Sequence, residues 1–451
     1  MGDGVGTVTP LYDRHGAQLY RGDCREVLRQ FPDNHFDSCV CDPPYDLTSI
    51  VRRFGKPGSA PAKPEGAGGA YARLSKGFMG QRWDGTGVAF DPATWEAIGR
   101  TLKPGACLLA FGGTRTYHRI ASAIEAAGFE LRNCVAWIYG QGWPKSHNLH
   151  GDWEGWGTDL KPAMELIAMA RKPLAQGSVA ANMLEWGTGA WNIDGCRIEA
   201  NDDAYTRNCA GDRGHAENRG RQMNFHMGSG HAHPQGRWPA NVCFDEDAAA
   251  LLDVQAGPQR SGGTPKRRFS DKTLHTYGVF QGDENPDGIG ASAGLVSRFF
   301  YCAKASRLER DAGLDELPEQ VVDVDARHHS RRMEELRRTI GAPPARGRNH
   351  HPTIKPLALL RWLVRLTTRP GGLVLDPFAG SCSTGCAAIL EGFRFVGIDL
   401  DESGKYLGEI GRRRIEHWAQ QVGRMEATPA VEKQPVTLPE LPLFAGLVEV
   451  A

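Results

Sequence analysis

Residues 371 to 400, GGLVLDPFAGSCSTGCAAILEGFRFVGIDL, leave this chain few folds to choose from. Leu373 to Leu375 read as a short strand buried on both faces, since consecutive large apolar residues between turn residues suit that environment. Phe378, Ala379, Gly380 and Ser381 follow as a tight turn, and a helix is expected from near Ser383. Small residues there let a ligand approach the backbone, where the first amides of the helix are free to donate. The next strand, FRFVGIDL, ends in Asp399, about 20 residues further on, where a carboxylate can accept both hydroxyls of a ribose. The unit is expected to bind a nucleoside cofactor. A plain packing turn between two strands and a helix is the alternative.

The same alternation fills the first part of the chain. AQLYRGD reads as a strand ending at Asp23, and CREVLRQF as a helix with Val27, Leu28 and Phe31 on one side. HFDSCVC is the next strand and runs into Asp42, Pro43, Pro44 and Tyr45. Prolines donate no amide hydrogen, so this tetrapeptide ends a strand whatever else it does. PATWEAIGRTLKPG reads as a helix closed by Pro-Gly, ACLLAFGG as a buried strand, and TRTYHRIASAIEAAGF as an amphipathic helix stopped by Gly128. ELRNCVAWIYG and AMELIAMARK are further strands, the second ambiguous on length. The fold class expected is α/β, a doubly wound, mostly parallel Rossmann-like sheet. Between about 175 and 345 the rhythm is lost to Gly, Asn, His and Arg. The organisation expected is 1–174 as one half of the domain, 175–345 as an insertion, 346–422 as the cofactor half, and 423–451 as a flexible tail.

Composition narrows the partners only by exclusion. Lys plus Arg number 53 and Asp plus Glu number 53, so no global charge announces a nucleic acid or a membrane. The 11 cysteines lack paired zinc-ligand spacing, and His226, His231 and His233 have no supporting cysteine or carboxylate pattern, so no metal is expected. No apolar signal core and no membrane-length run is evident, which predicts a cytoplasmic protein.

Taken together, DPPY at Asp42–Tyr45, HPTIKP at 351–356, and FAGS with GIDL at 378–381 and 397–400 resemble the permuted β class of DNA amino-methyltransferases. The resemblance covers most of 18–172 and 347–422, and the agreement in order is more specific than any one motif. It implies a circularly permuted sheet with S-adenosylmethionine as cofactor and double-stranded DNA as partner. It further implies a target-recognition role for the insertion, use on the bacterial or phage nucleoid, and often a homodimer. The activity implied is methylation of adenine N6 on a base flipped from the duplex, alone or within a restriction-modification system. Cytosine-N4 methylation, or a DNA-binding protein without turnover, is the alternative.

An exocyclic amino group is a poor nucleophile because its lone pair is delocalised into the ring. Acceptors aimed at its hydrogens free that lone pair for in-line attack. Asp42 and, by resemblance, the Pro43 carbonyl are the expected acceptors. Pro44 sets their distance from the Tyr45 ring, on which the flipped base stacks. Asp23 resembles the acidic strand end that contacts the adenine of the cofactor. Asp376 is expected to pair with the methionine ammonium group or to cap its own turn, and Phe378 to lie on the cofactor or plug the core. Thr353 and Lys355 are expected to hold the methionine carboxylate, with a solvated lysine the alternative for Lys355. The family usually has glycine where this chain has Cys382. DNA contacts are expected from Arg52 and Arg53 in a lid after the tetrapeptide. Further contacts are expected from Lys266, Arg267 and Arg268, and from Arg331 and Arg332 in an arginine-rich stretch.

Overall fold

Ten strands form one sheet in the computed structural model, which describes residues 8–46, 86–140, 148–200, 235–260, 293–303, 307–321, 346–349, 351 and 354–425. They are β1 (Tyr12–Arg14), β2 (Ala17–Arg21), β3 (Phe36–Cys41), β4 (Leu102–Gly112), β5 (Glu130–Ile138), β6 (Met164–Arg171), β7 (Val242–Asp245), β10 (Tyr301–Ala303), β13 (Leu373–Asp376) and β14 (Arg394–Asp399). Four short strands, β8 (Gln259–Arg260), β9 (Ala293–Gly294), β11 (Gln320–Val321) and β12 (Arg346–Gly347), pair off as two small ribbons. The order across the main sheet is β1-β2-β14-β13-β3-β4-β6-β5-β7-β10, so the last two described strands lie inside it, between β2 and β3. The run β2, β14, β13, β3, β4 is parallel throughout. Only β6, antiparallel to both β4 and β5, and β1, antiparallel to β2, run the other way.

The helices are α1 (Cys24–Val27), α2 (Pro92–Thr101), α3 (Tyr117–Ala126), α4 (Val179–Trp186), α5 (Glu246–Ala256), α6 (Arg307–Asp311), α7 (Leu357–Thr367), α8 (Ser383–Leu390) and α9 (Arg412–Met425). Side chains alternate across a strand, so each central strand feeds two cores. Val40, Leu109, Phe111 and Val374 pack with Leu363 of α7, Ala387 of α8 and Ile415 of α9. Cys39, Cys41, Leu108 and Leu375 pack with Val27 of α1, Trp95 of α2 and Ile120 of α3. This double covering is why the strands read as continuous apolar runs.

Three details depart from the sequence expectation. The helix expected to run to Gly105 ends at Thr101, and Leu102 already pairs in β4. Pro104 cannot continue a helix, and the Lys103–Ala106 stretch is taken up as an irregularity between the pairs Phe36–Leu102 and Ser38–Cys107. The second difference is β6, which follows a connection without an α-helix among its described residues and runs antiparallel to β5. The third is that 175–345 supplies two described strands to the main sheet. Its β7 pairs with β5 and its β10 with β7, continuing an edge that would otherwise be left open. Its Asn182 donates to the Pro104 and Thr188 carbonyls, holding α4 against the start of β4.

The two halves of the domain are tied at the amino ends of the strands by Asp37, which is only 1% exposed. Its carboxylate accepts from Lys103 Nζ at 2.6 Å, Arg369 Nε at 2.9 Å and the Leu373 amide at 2.8 Å. Burial pushes the carboxyl up, but the two cations and the amide outweigh it and hold it below its ordinary value. A depressed carboxylate stabilises the fold above its unfolded pKa, and that contribution is lost as pH falls. Asp37→Ala is expected to cost about 3 kcal/mol in urea unfolding at neutral pH, at the low end for a broken buried pair because Arg369 stays partly hydrated. The gap from the wild type should narrow below about pH 4.

Candidate active site

The carboxyl ends of β2, β3, β13 and β14 open onto one cavity of about 490 Å³, a volume within the usual range for small-molecule sites. This is the crevice where the chain leaves β13 in one direction and β3 in the other, the place where open α/β sheets bind ligands. Ten of the expected site residues line it: Asp23, Asp42, Pro44, Lys355, Asp376, Phe378, Ala379, Gly380, Ser381 and Asp399.

On the cofactor side, Asp376 Oδ1 accepts from the Phe378 amide at 3.0 Å, which folds the turn back on the strand end. Gly380 has φ +50°, and a Cβ there would come 2.8 Å from His351 Nε2. Both features favour glycine at that position. Asp399 accepts from the Gly380 amide through Oδ2 and from the Asp401 amide through Oδ1, each at 2.8 Å. The turn and the acidic strand end are thus joined directly. Burial raises Asp376 to about 7 and Asp399 to about 6. Neither forms an ion pair with any described residue. A buried carboxylate without a cation is costly, and two at one site suit a ligand that brings positive charge and hydroxyl donors.

Cys382 sits in the left-handed region at φ 59°, ψ 35°, immediately before α8. Glycine takes this conformation freely, whereas a residue with a Cβ pays about 1 kcal/mol or more. Its side chain is fully buried, away from the cavity lining, and a Cβ on Gly411 would lie 2.6 Å from its Sγ. Gly411 closes a π-helical stretch, Tyr406–Gly411, that leads into α9. From α9 the buried Arg414 donates through Nη1 to the Ser381 carbonyl at 2.7 Å and to Ser383 Oγ at 2.9 Å. Arg414 therefore clamps the loop from behind, and its place in a basic run, GRRRIEH, gave the sequence no signal of that role.

Asp23 caps α1 by accepting from the Arg25 amide at 2.9 Å, and its Oδ2 accepts from Arg25 Nη2 at 2.7 Å. It reaches the cavity already paired. Phe378 is partly buried, lies 6.4 Å from the Trp95 ring and also lines the cavity, so it serves core and site together.

On the other side, Asp42 Oδ2 accepts from Lys355 Nζ at 2.8 Å. The same ammonium lies 3.1 Å from Glu165 Oε2 and donates to Tyr45 Oη at 3.2 Å. Tyr45 Oη in turn donates to Glu165 Oε2 at 2.9 Å. Lys355 is 7% exposed, so it is not a solvated loop lysine, and its ammonium is directed at the tetrapeptide. Burial alone would lower Lys355, but the two carboxylates more than compensate and its pKa is raised. Asp42 is also raised, first by burial and then by Glu165, with Lys355 opposing both. Its second oxygen, Oδ1, is buried and accepts no hydrogen bond among the described residues. Pro43 is buried and Pro44 half-buried. The Tyr45 ring packs over Gly113, where a Cβ would come 3.1 Å from Cδ2.

The sequence signature of the DNA methylase family matches residues 36–409. The chain belongs to that family. A stretch of 67 residues is 45% identical to the DNA adenine methyltransferase YhdJ of Escherichia coli K12, covering 15% of this chain and 22% of that protein. Another of 66 residues is 46% identical to the type II methyltransferase M2.DpnII of Streptococcus pneumoniae, covering 15% of this chain and 24% of that one. The matched stretches thus span about a quarter of these relatives' own lengths. The solved PvuII DNA methyltransferase (cytosine-N4-specific) is 12% identical with a TM-score of 0.41, over 92% of this chain and 95% of that one.

Thr353, Arg52, Arg53, Lys266, Arg267, Arg268, Arg331 and Arg332 lie outside the described residues, as do the histidines 226, 231 and 233. Trp238 is described and is 66% exposed, with the Arg197 guanidinium 5.4 Å from its ring centre. No described helix is long and apolar enough to cross a membrane.

Lys355→Met would leave Asp42 buried beside Glu165 with no cation. The Asp42 carboxyl would then rise further in the folded state, so the folded protein would hold a proton that the unfolded chain has released. Stability lost to such a group grows with pH. Thermal unfolding of this variant is expected to fall further below the wild type at about pH 8 than at about pH 5.

Proposed function

We propose that this protein is a β-class DNA methyltransferase that moves a methyl group from S-adenosylmethionine to the N6 amino group of adenine in double-stranded DNA. The observation that carries the reading is Asp42 Oδ1, a buried acceptor without a donor at the rim of a cavity that also holds two carboxylates without cations. The place of β13 and β14, the last described strands, between β2 and β3 supports the permuted order. Asp rather than Ser at the first catalytic position favours adenine, as does the adenine methyltransferase among the relatives.

S-adenosylmethionine, when bound, supplies a methyl group on a cationic sulfur, together with an ammonium group and a ribose diol. Asp399 is suited to the diol, because each of its oxygens keeps a lone pair after binding one backbone amide. Asp376 is suited to the ammonium group. Ala379 and Gly380 leave room for the cofactor to lie against the turn. Asp42 Oδ1 and the Pro43 carbonyl accept the two amino hydrogens and draw the nitrogen toward a tetrahedral geometry, which restores its lone pair. Tyr45 offers its ring to the extruded base, held in place through its hydroxyl by Glu165 and Lys355.

The direct test is methyl transfer to unmethylated DNA, followed by nucleoside analysis. N6-methyladenine is expected. N4-methylcytosine would reassign the target base, and no incorporation would overturn the enzyme reading. Asp42→Ala should cut transfer at least about a hundredfold while leaving cofactor affinity within about twofold.

Cofactor affinity should also depend on pH. Asp399 and Asp376 lose their protons near 6 and 7, so the cationic cofactor should bind more tightly as pH rises from about 5 to about 8. Titration calorimetry should show that slope flattened in Asp376→Asn. An equal slope in the variant would remove Asp376 from the site.

A further inference from the structure

Glu165 belongs to none of the motifs above, yet it completes the group of charges around Asp42. It stands near the start of β6, and because β6 is antiparallel to β4 its first residues lie at the rim where β3 and β4 end. Leu166, next in sequence, pairs with Gly112, and Gly113 meets the Tyr45 ring. Glu165 Oε2 then reaches both Lys355 Nζ, at 3.1 Å, and Tyr45 Oη, at 2.9 Å.

One ammonium between two carboxylates gives the cluster a net charge of minus one. With Asp42 and Lys355 alone the pair would be neutral, and the lysine could turn its hydrogens onto both oxygens of Asp42. Glu165 draws the ammonium to one side, so that Lys355 is bonded to Oδ2 and Oδ1 is left without a donor. We propose that Glu165 is a positioning residue that holds Lys355 off Asp42 Oδ1 and keeps the cluster one negative charge in excess, so that Asp42 receives the proton released by methyl transfer. This rests on the reading of the site as an amino-methyltransferase.

The balance is simple. The amino nitrogen forms a bond to the methyl carbon as the bond from that carbon to sulfur breaks, and sulfur keeps the electron pair. The nitrogen, left with a positive charge, gives one hydrogen as a proton to Asp42 Oδ1. Asp42 becomes a neutral acid, while Lys355 and Glu165 remain an ion pair, and the cluster reaches zero net charge. Asp42 later returns the proton to water. In a dry site a neutral product state is favoured over a charged one. Without the Glu165 charge, the same step would end with an uncompensated cation.

The titratable groups facing this cluster are Asp42 and Tyr45 after β3, Lys355 before α7, Tyr139 at the end of β5, and Asp376 and Cys41 behind Asp42. Asp42 is the carboxyl whose pKa Glu165 helps to raise. Removing that charge while keeping the shape should therefore let Asp42 ionise at lower pH and make it a weaker proton acceptor.

The experiment is the pH profile of single-turnover methyl transfer to DNA by the full chain, for the wild type, Glu165→Gln and Glu165→Asp. Glu165→Gln should move the acidic limb of the profile to lower pH and lower the plateau rate at least about tenfold. Its cofactor dissociation constant should stay unchanged. Glu165→Asp, which keeps the charge, should keep the limb at the wild-type position. An unmoved limb in Glu165→Gln, with transfer by the wild type intact, overturns the role given to Glu165 alone. No transfer by the wild type overturns the amino-methyltransferase reading and this inference with it. Should Glu165→Gln not fold, Glu165→Asp decides by itself, since a limb displaced to lower pH with the charge retained contradicts the proposal.

Discussion

Four carboxylates, Asp42, Glu165, Asp376 and Asp399, meet at one edge of the sheet, and the ammonium of Lys355, shared by the first two, offsets a single one of their charges. Much else in the molecule serves to hold this imbalance in place. Parallel strands deliver Asp42, Asp376 and Asp399 to the same rim, because each acid ends its strand. The reversed strand β6 brings Glu165 there from the opposite direction. The far edge carries the opposite arrangement, one buried carboxylate, Asp37, shared by Lys103 and Arg369. The amino ends are thus closed by a carboxylate held between two cations, and the carboxyl ends are left needing a cation.

The layer behind the site is built from residues with no chemistry of their own. Arg414 fastens the turn through Ser381 and Ser383. Cys382 accepts a left-handed backbone and sinks its sulfur against Gly411. A π-helical turn is a common way for a helix to accommodate a functional site, and here it lets α9 pass close behind the loop. The side chain at position 382 is accommodated by the glycine that faces it.

Local pattern made the central sheet legible. Leu373–Asp376, Arg394–Asp399 and Phe36–Cys41 lie where apolar runs and terminal acids predicted them. Asp42, Asp376 and Asp399 could be found because each ends such a run. Glu165 could not, since it lies inside MELIAMAR as the polar residue of an otherwise ordinary strand, and its importance depends on strand direction. Direction shows only in the antiparallel pairing of β6 with β4 and β5, and an expectation of mostly parallel strands hides it. Lys355 is legible from its motif, but its contact with Asp42 is not, because the two lie 313 positions apart in sequence. The strands β7 and β10 were missed for a related reason. Each is only three or four residues long and exists because an open sheet edge was there to receive it.

The reversed strand has one more consequence. The connection between β5 and β6 carries the exposed Trp153 and Trp156, whose rings meet edge to face, and Asp159 ties it to Arg115 just beyond β4. Both of its ends are anchored at the reactive rim by strand pairing, so its length and side chains can vary without moving Glu165. Chemistry and reach are thereby separable properties of the molecule. The surface beside the site can change in outline while the acids and the ammonium beneath it keep their places.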